Sequence, residues 1–211
     1  VIDRRSFLTA AGTAGVGLLA GCSGDDGGTT GGTSGGGEGP IRIGAIQPFS
    51  GNFAVWGQVH ASGLAFAVDE INGDGGVLGG RELRVAEADS GSYPAEAASI
   101  FERFAEQDDI VAATGPVSSD VGIRTSRTAE ALGIPVYMHL AGSNDTITPE
   151  TRHSFRVGLL PAEPTMRAQA ALADARGYES VSAIVADYAW GRSVQSAIGT
   201  TFDVDVDIQV A

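Results

Sequence analysis

Ile41-Arg42-Ile43-Gly44-Ala45-Ile46 alternates at first and then runs apolar, which reads as a strand. Gly57 to Asn72 follows, with Leu64, Ala67, Val68 and Ile71 on one helical face. Gly73-Asp74-Gly75-Gly76 ends that helix, Gly79-Gly80 turns the chain back, and Glu82 to Ala88 alternates again. The apolar period passes from 2 to 3.6 and back to 2, so the stretch is a strand–helix–strand unit. Such a unit sets its strands parallel with a right-handed crossover.

The alternation continues outward from this unit. Pro94 suits the first turn of a helix, with Ala97, Ile100, Phe101 and Phe104 as its buried stripe. Ile110-Val111-Ala112-Ala113 reads as a short buried strand. Ser118 or Ser119 caps a helix running to about Leu132, and Ile134 to Met138 is the next strand. A second cycle starts after Thr151-Arg152-His153-Ser154-Phe155-Arg156-Val157. It has a helix from Pro164 to Gly177, a strand from Val181 to Ala186, a helix from Trp190 to about Thr200 and a strand from Phe202 to Val210. The expected class is α/β, with Rossmann-like parallel sheets covered on both faces.

The N-terminus reads as an address. Asp3-Arg4-Arg5-Ser6-Phe7-Leu8 leads into a small-residue apolar run to Ala20 and then Leu19-Ala20-Gly21-Cys22. Residues 1–21 are expected to be a signal peptide of twin-arginine type. Leu-Ala-Gly-Cys resembles a lipobox, which makes Cys22 the expected lipidation site. Residues 22–39 are rich in Gly and contain no apolar residue after Cys22, so they form a flexible tether from that anchor. One lipid chain binds a membrane only marginally, so stable anchoring needs a second chain or signal.

Composition narrows the function. The 211 residues carry 13 basic and 26 acidic groups, a net charge of −13. That charge opposes binding to nucleic acid and to anionic membrane surfaces. Every basic residue is Arg, and an acidic, Lys-free surface fits a protein kept soluble in high salt. A single Cys excludes an internal disulfide framework. His60, His139 and His153 lack ligand spacing, and no Gly-x-Ser-x-Gly elbow sits between a strand and a helix (the pattern at Gly32–Gly36 lies in the Gly-rich tether), so neither a catalytic residue nor a metal or other cofactor is implied. Gly73-Asp74-Gly75-Gly76 follows a helix rather than a strand and reads as a turn, not a dinucleotide loop. Asp203, Asp205 and Asp207 alternate with Val204, Val206 and Ile208, which spreads the carboxylates along a solvated face.

Several segments in order carry a resemblance. They are Pro48-Phe49-Ser50-Gly51 with Trp56-Gly57, then Ala67-Val68-Asp69-Glu70-Ile71-Asn72, then Gly75-Gly76-Val77-Leu78-Gly79-Gly80-Arg81. Gly115-Pro116-Val117-Ser118-Ser119, Gly133-Ile134-Pro135-Val136, Ala141-Gly142-Ser143-Asn144, Phe155-Arg156 and Asp187-Tyr188-Ala189-Trp190-Gly191 continue the series. Together they resemble the branched-chain amino acid (Leu/Ile/Val) binding proteins, the extracytoplasmic solute receptors of ABC importers. The resemblance implies a two-lobed type I periplasmic binding protein. Residues 40–157 would be the complete first lobe and 158–211 the start of a truncated second lobe. Phe155-Arg156 would be the first hinge crossing. The implied partners are a small-molecule solute and ABC permease and ATPase subunits, and the implied location is the outer face of the cytoplasmic membrane.

The same resemblance implies the site. Loops 48–57, 114–119 and 140–145 all follow strands and gather on one edge of the sheet, where doubly wound folds bind ligands. Loop 114–119 leads into a helix N-terminus, which favours an anion such as an α-carboxylate. The carboxylate-binding Ser falls on Ser119, with Ser118 the neighbouring choice. The Thr that meets ammonium and carboxylate falls on Ser143. The carbonyls of Ala141 or Gly142 would accept from the ammonium. Trp56 would be an apolar wall near the side chain, and Trp190 would face it from the second lobe. Relatives also bind amides, urea or aromatic acids, and a ligand-sensing ectodomain uses the same fold.

Overall fold

The computed structural model describes residues 39–211. The signal peptide, Cys22 and the tether up to residue 38 lie outside the described residues. Five strands form the first sheet: β1 (Ile41–Gln47), β2 (Leu83–Asp89), β3 (Ala112–Thr114), β4 (Val136–Met138) and β5 (Ser154–Arg156). Their order is β2-β1-β3-β4-β5, and every pairing is parallel. Helices α1 (Ala54–Gly73), α2 (Pro94–Gln107) and α3 (Ser119–Leu132) connect them. A second sheet pairs β6 (Ser180–Val185) with β7 (Asp205–Val210), also parallel, beside α4 (Ala162–Arg176) and α5 (Ala189–Thr201).

The first lobe closes around the α2 stripe. Ala97, Ile100, Phe101 and Phe104 are all buried, as the sequence predicts, against Ile46, Ala113, Val121, Val136 and Met138. Gly44 lets α2 lie close, because a Cβ there would sit 2.7 Å from the Phe104 ring. On the other face α1 is thinly packed: Leu64, Val68 and Ile71 are half-buried, but Ala67 is exposed. The amide of Asn72 ties the end of α1 to β2, donating to the Leu83 carbonyl and accepting from its N–H. The Gly73–Gly76 segment is the expected turn, with Gly75 and Gly76 at positive φ.

Several boundaries shift from the expected ones. Helix α1 starts at Ala54 rather than Gly57, because the Phe53 carbonyl already accepts the N–H groups of Trp56 and Gly57. Strand β3 spans Ala112–Thr114 rather than 110–113, since Val111 is 57% exposed and Ile110 is buried without joining the strand. Strand β7 begins at Asp205, so Asp203 precedes it, and all three aspartates are exposed. Among the described residues, no cluster of His, Cys, Asp and Glu could hold a metal ion, and no helix is long and apolar enough to cross a membrane.

The strand order reverses at β1, with β2 on one side and β3 on the other. The loops leaving β1 and β3 therefore part to opposite faces and open a crevice at the carboxyl edge.

Candidate functional site

The loop after β1 is pinned by one carboxylate. Asp89, ending β2, accepts from the N–H groups of Phe49, Ser50 and Gly91 and from the Ser50 hydroxyl at 2.6 Å. Burial pushes its carboxyl up, but these four hydrogen bonds outweigh it and bring it below its ordinary value. The pinned loop carries Phe53 to the crevice.

The loop after β3 needs Gly115. Its φ is +120°, and a Cβ there would lie 2.5 Å from the Ile46 carbonyl oxygen. The chain then reaches Ser118, which occupies the cap position of α3 without making a side-chain cap bond. Ser119 is the first helical residue, and its Oγ accepts from the Ser143 N–H at 3.1 Å. Of the two residues expected to cap α3, Ser118 takes the cap position, and the Ser119 hydroxyl serves the neighbouring loop.

Residues from both lobes enclose a hollow of ≈ 360 Å³ at this edge. Phe53, Ser92, Tyr93, Ser118 and Asp120 line it from the first lobe and Tyr188 from the second. The Phe53 and Tyr188 rings lie 5.6 Å apart. Asp120 crosses to α5, accepting from the Ala189 N–H at 3.3 Å and from Arg192 at 3.2 Å. It thereby caps the α5 N-terminus, where a negative charge is favoured. Burial, and then the Asp120 charge, push the Tyr188 hydroxyl up in pKa. The volume falls within the usual range for small-molecule sites. A larger hollow of ≈ 570 Å³ lies against β6, lined mostly by apolar residues such as Val185, Val194, Ile198 and Phe202. It runs from the apolar interior of the second lobe to the loop after β6, where it shares Tyr188 with the smaller hollow.

A family model for periplasmic binding proteins matches residues 40–207. The chain belongs to this family. The Leu/Ile/Val-binding protein homolog 7 of Brucella abortus is 34% identical over 110 residues, 51% of this chain and 26% of that protein. A branched-chain amino acid transporter substrate-binding protein from Streptococcus pneumoniae, solved with isoleucine, superposes with a TM-score of 0.68 at 23% identity, covering 82% of this chain and 50% of that one. A solute-binding protein from Rhodopseudomonas palustris, solved with 3,4-dihydroxybenzoic acid, gives a TM-score of 0.72 at 16% identity over 81% of this chain and 47% of that one. The chain thus spans about half the length of these solved structures and about a quarter of the Brucella relative in the aligned region. The matched family is one of periplasmic binding proteins, and the two solved structures are named as a transporter substrate-binding protein and a solute-binding protein of an ABC transporter.

In this periplasmic binding protein the residues singled out from sequence fall in three places. Ser119, Ser143, Ala141, Gly142 and Trp190 come together; Ser118 faces the hollow; Trp56 stands apart. Trp56 is 51% exposed in the first turn of α1 and does not line the hollow. Ser143 is fully buried, and its Oγ lies 2.7 Å from Ser193 Oγ of α5. The Ala141 carbonyl, expected to receive a ligand ammonium, accepts from Arg156 Nε at 3.0 Å. Trp190 packs against the second-lobe core and across Gly142, where a Cβ would collide with its ring.

Asp89, Asp120, Arg156, Tyr188 and Ser193 were not picked out as site residues. Asp187-Tyr188-Ala189-Trp190-Gly191 was the available signal for Tyr188. Behind the crevice, His139 bonds Thr114 Oγ1 at 2.6 Å, and its ring centroid lies 4.1 Å from that of His60.

Proposed function

We propose that this chain is the solute-capturing part of an ABC-importer receptor, closing by a hinge motion on a small polar molecule and delivering it to a membrane permease. The observation that carries this reading is the hollow at the strand-order reversal, lined from both lobes. Ser118 at the start of α3 supplies a hydroxyl beside a helix N-terminus, which suits a carboxylate. Ser119, Ser143, Ala141, Gly142 and Trp190 do not line the hollow but pack together beside Ser118, so in this reading they support the site, and Trp56 joins it only if α1 moves toward it.

The favoured ligand is an amino acid of branched-chain type, in keeping with the Brucella and Streptococcus relatives. An aromatic acid is the second reading, favoured by Phe53, Tyr93 and Tyr188 around the hollow. Amides and urea form a third class of small polar solute. Leu19-Ala20-Gly21-Cys22 behind Arg4-Arg5 supports export by the twin-arginine route and lipid anchoring through Cys22 at the outer face of the cytoplasmic membrane. The all-Arg basic set and the charge of −13 support a salt-adapted surface.

A thermal-shift screen of the full chain in high salt tests this reading. Leucine, isoleucine, 4-hydroxybenzoate, acetamide and urea are the probes. A bound solute raises the midpoint by mass action. A flat response to all five contradicts solute capture.

A further inference from the structure

We propose that Arg156 is the positioning residue that ties the crossing segment between the lobes to the 141–143 loop, so that lobe movement and the shape of the solute site change together. The inference rests on the solute-capture reading and assigns a coupling within that same site.

Arg156 is the last residue of β5, and from it the chain passes through Val157, Gly158 and Leu159 toward α4 in the second lobe. Its Nε donates to the Ala141 carbonyl at 3.0 Å and its Nη2 to the Ser143 carbonyl at 2.7 Å. The guanidinium is planar, with its donors in a rigid fork. Two of those donors on carbonyls two residues apart hold the intervening Gly142 as if in a bracket.

The backbone reinforces the grip. Val157 N–H donates to the Met138 carbonyl at 3.0 Å and Leu159 N–H to the His139 carbonyl at 2.9 Å. Gly158 runs so close to the His139 carbonyl that a Cβ would collide with it. The segment leaving the first lobe is therefore tied to the end of β4, from which the loop starts, and through Arg156 to the loop itself. On its far side the loop meets the second lobe: a Cβ on Gly142 would strike the Trp190 ring, and the Ser143 hydroxyl meets Ser193. Rotation of the crossing segment must then drag the loop or break these bonds.

The arrangement carries a cost that ordinary packing would avoid. Among the described residues, no carboxylate forms an ion pair with Arg156, and burial lowers its pKa from the ordinary value. A partly buried cation satisfied by neutral carbonyls is expensive to desolvate. An apolar side chain would fill the space without that expense, but it would not hold the loop.

The test uses a Trp56→Phe parent, which leaves Trp190 as the reporter for the 141–143 loop. Arg156→Lys keeps the charge and removes the fork; Arg156→Met removes both. Acrylamide quenching of Trp190 without solute, titrations with leucine, isoleucine and 4-hydroxybenzoate, and the urea midpoint are measured for each. The proposal predicts at least twofold stronger quenching in both variants. It also predicts about tenfold weaker solute affinity, at a urea midpoint in Arg156→Lys close to the parent's. Quenching and affinity at parental values in Arg156→Lys would overturn it. If the unsubstituted chain binds none of the three solutes, the solute-capture reading fails, and the quenching comparison alone still decides the role of Arg156.

Discussion

Ser143 Oγ of the first lobe lies 2.7 Å from Ser193 Oγ of the second, and the same Ser193 oxygen accepts from the Asn144 N–H at 3.2 Å. The contact joins the loop after β4 to α5 through two buried hydroxyls. Removing Ser193 leaves the buried Ser143 hydroxyl without this partner, and that omission is costlier than the bond is stabilising. Ser193→Ala is expected to lose about 1–3 kcal/mol in urea unfolding. A Ser143→Ala/Ser193→Ala pair should lose less than the sum of the single changes, because the two share one network. A Ser193→Ala midpoint equal to the parent's would mean that the contact contributes nothing.

Gly115 sits where the crevice opens, at φ +120°, with the Ile46 carbonyl 2.5 Å from any added Cβ. Gly115→Ala meets both backbone strain and a collision with rigid backbone. It should destabilise the fold by about 2 kcal/mol or more. Thermal unfolding measures this, and an unchanged midpoint would refute the close approach.

Asp89 holds the loop after β1 by three hydrogen bonds, and accepts a fourth from Gly91, but is itself exposed. Asp89→Ala should therefore act locally rather than globally. Amide exchange at Phe49, Ser50 and Gly91 should quicken about tenfold while the α2 amides keep their protection. Equal acceleration in α2 would show that the carboxylate supports the whole lobe instead.

The histidine pair sets an acid limit on stability. Burial, and then the neighbouring charge of His60, lower the His139 pKa from 6.5 to about 4. Burial lowers His60 as well. A ring that resists protonation in the fold but accepts a proton near 6.5 when unfolded stabilises the protein fully above pH 6.5, and the benefit fades as the pH falls to about 4. His139→Asn should flatten the midpoint-versus-pH curve across that window; an unaltered slope would contradict this. Glu130 acts lower on the scale. The His153 backbone N–H, and then its ring, hold Glu130 down from 4.5 to about 2, so its contribution is full above about 4.5 and is lost progressively as the pH falls to about 2.

Much of the fold was readable because helical and strand periods report burial directly. The stripe Ala97, Ile100, Phe101 and Phe104 carries its own signal, and so do the glycine turns after α1. Strand ends were less legible: Ile110 is apolar whether or not it pairs, since burial alone satisfies it. In the candidate site, loop positions followed from strand order, and the resemblance chose Ser119 and Ser143 within them; the structure sets those two side by side. The partners of those loops were not. Ser193 lies 50 residues from Ser143, and Arg156 lies 15 from Ala141, with no local period linking either pair. Trp56 looked like a site wall by its place beside the loop, but an earlier helix start carries it onto an exposed face.

Isothermal titration of the full chain with leucine, isoleucine and 4-hydroxybenzoate in high salt tests the central claim most directly. The account predicts one-site binding of at least one of them in the micromolar range or tighter. It also predicts about tenfold or more weakening when Tyr188→Ala or Ser118→Ala removes one wall of the hollow. Absence of binding heat for all three solutes at about 1 mM, or full affinity in both variants, would contradict it.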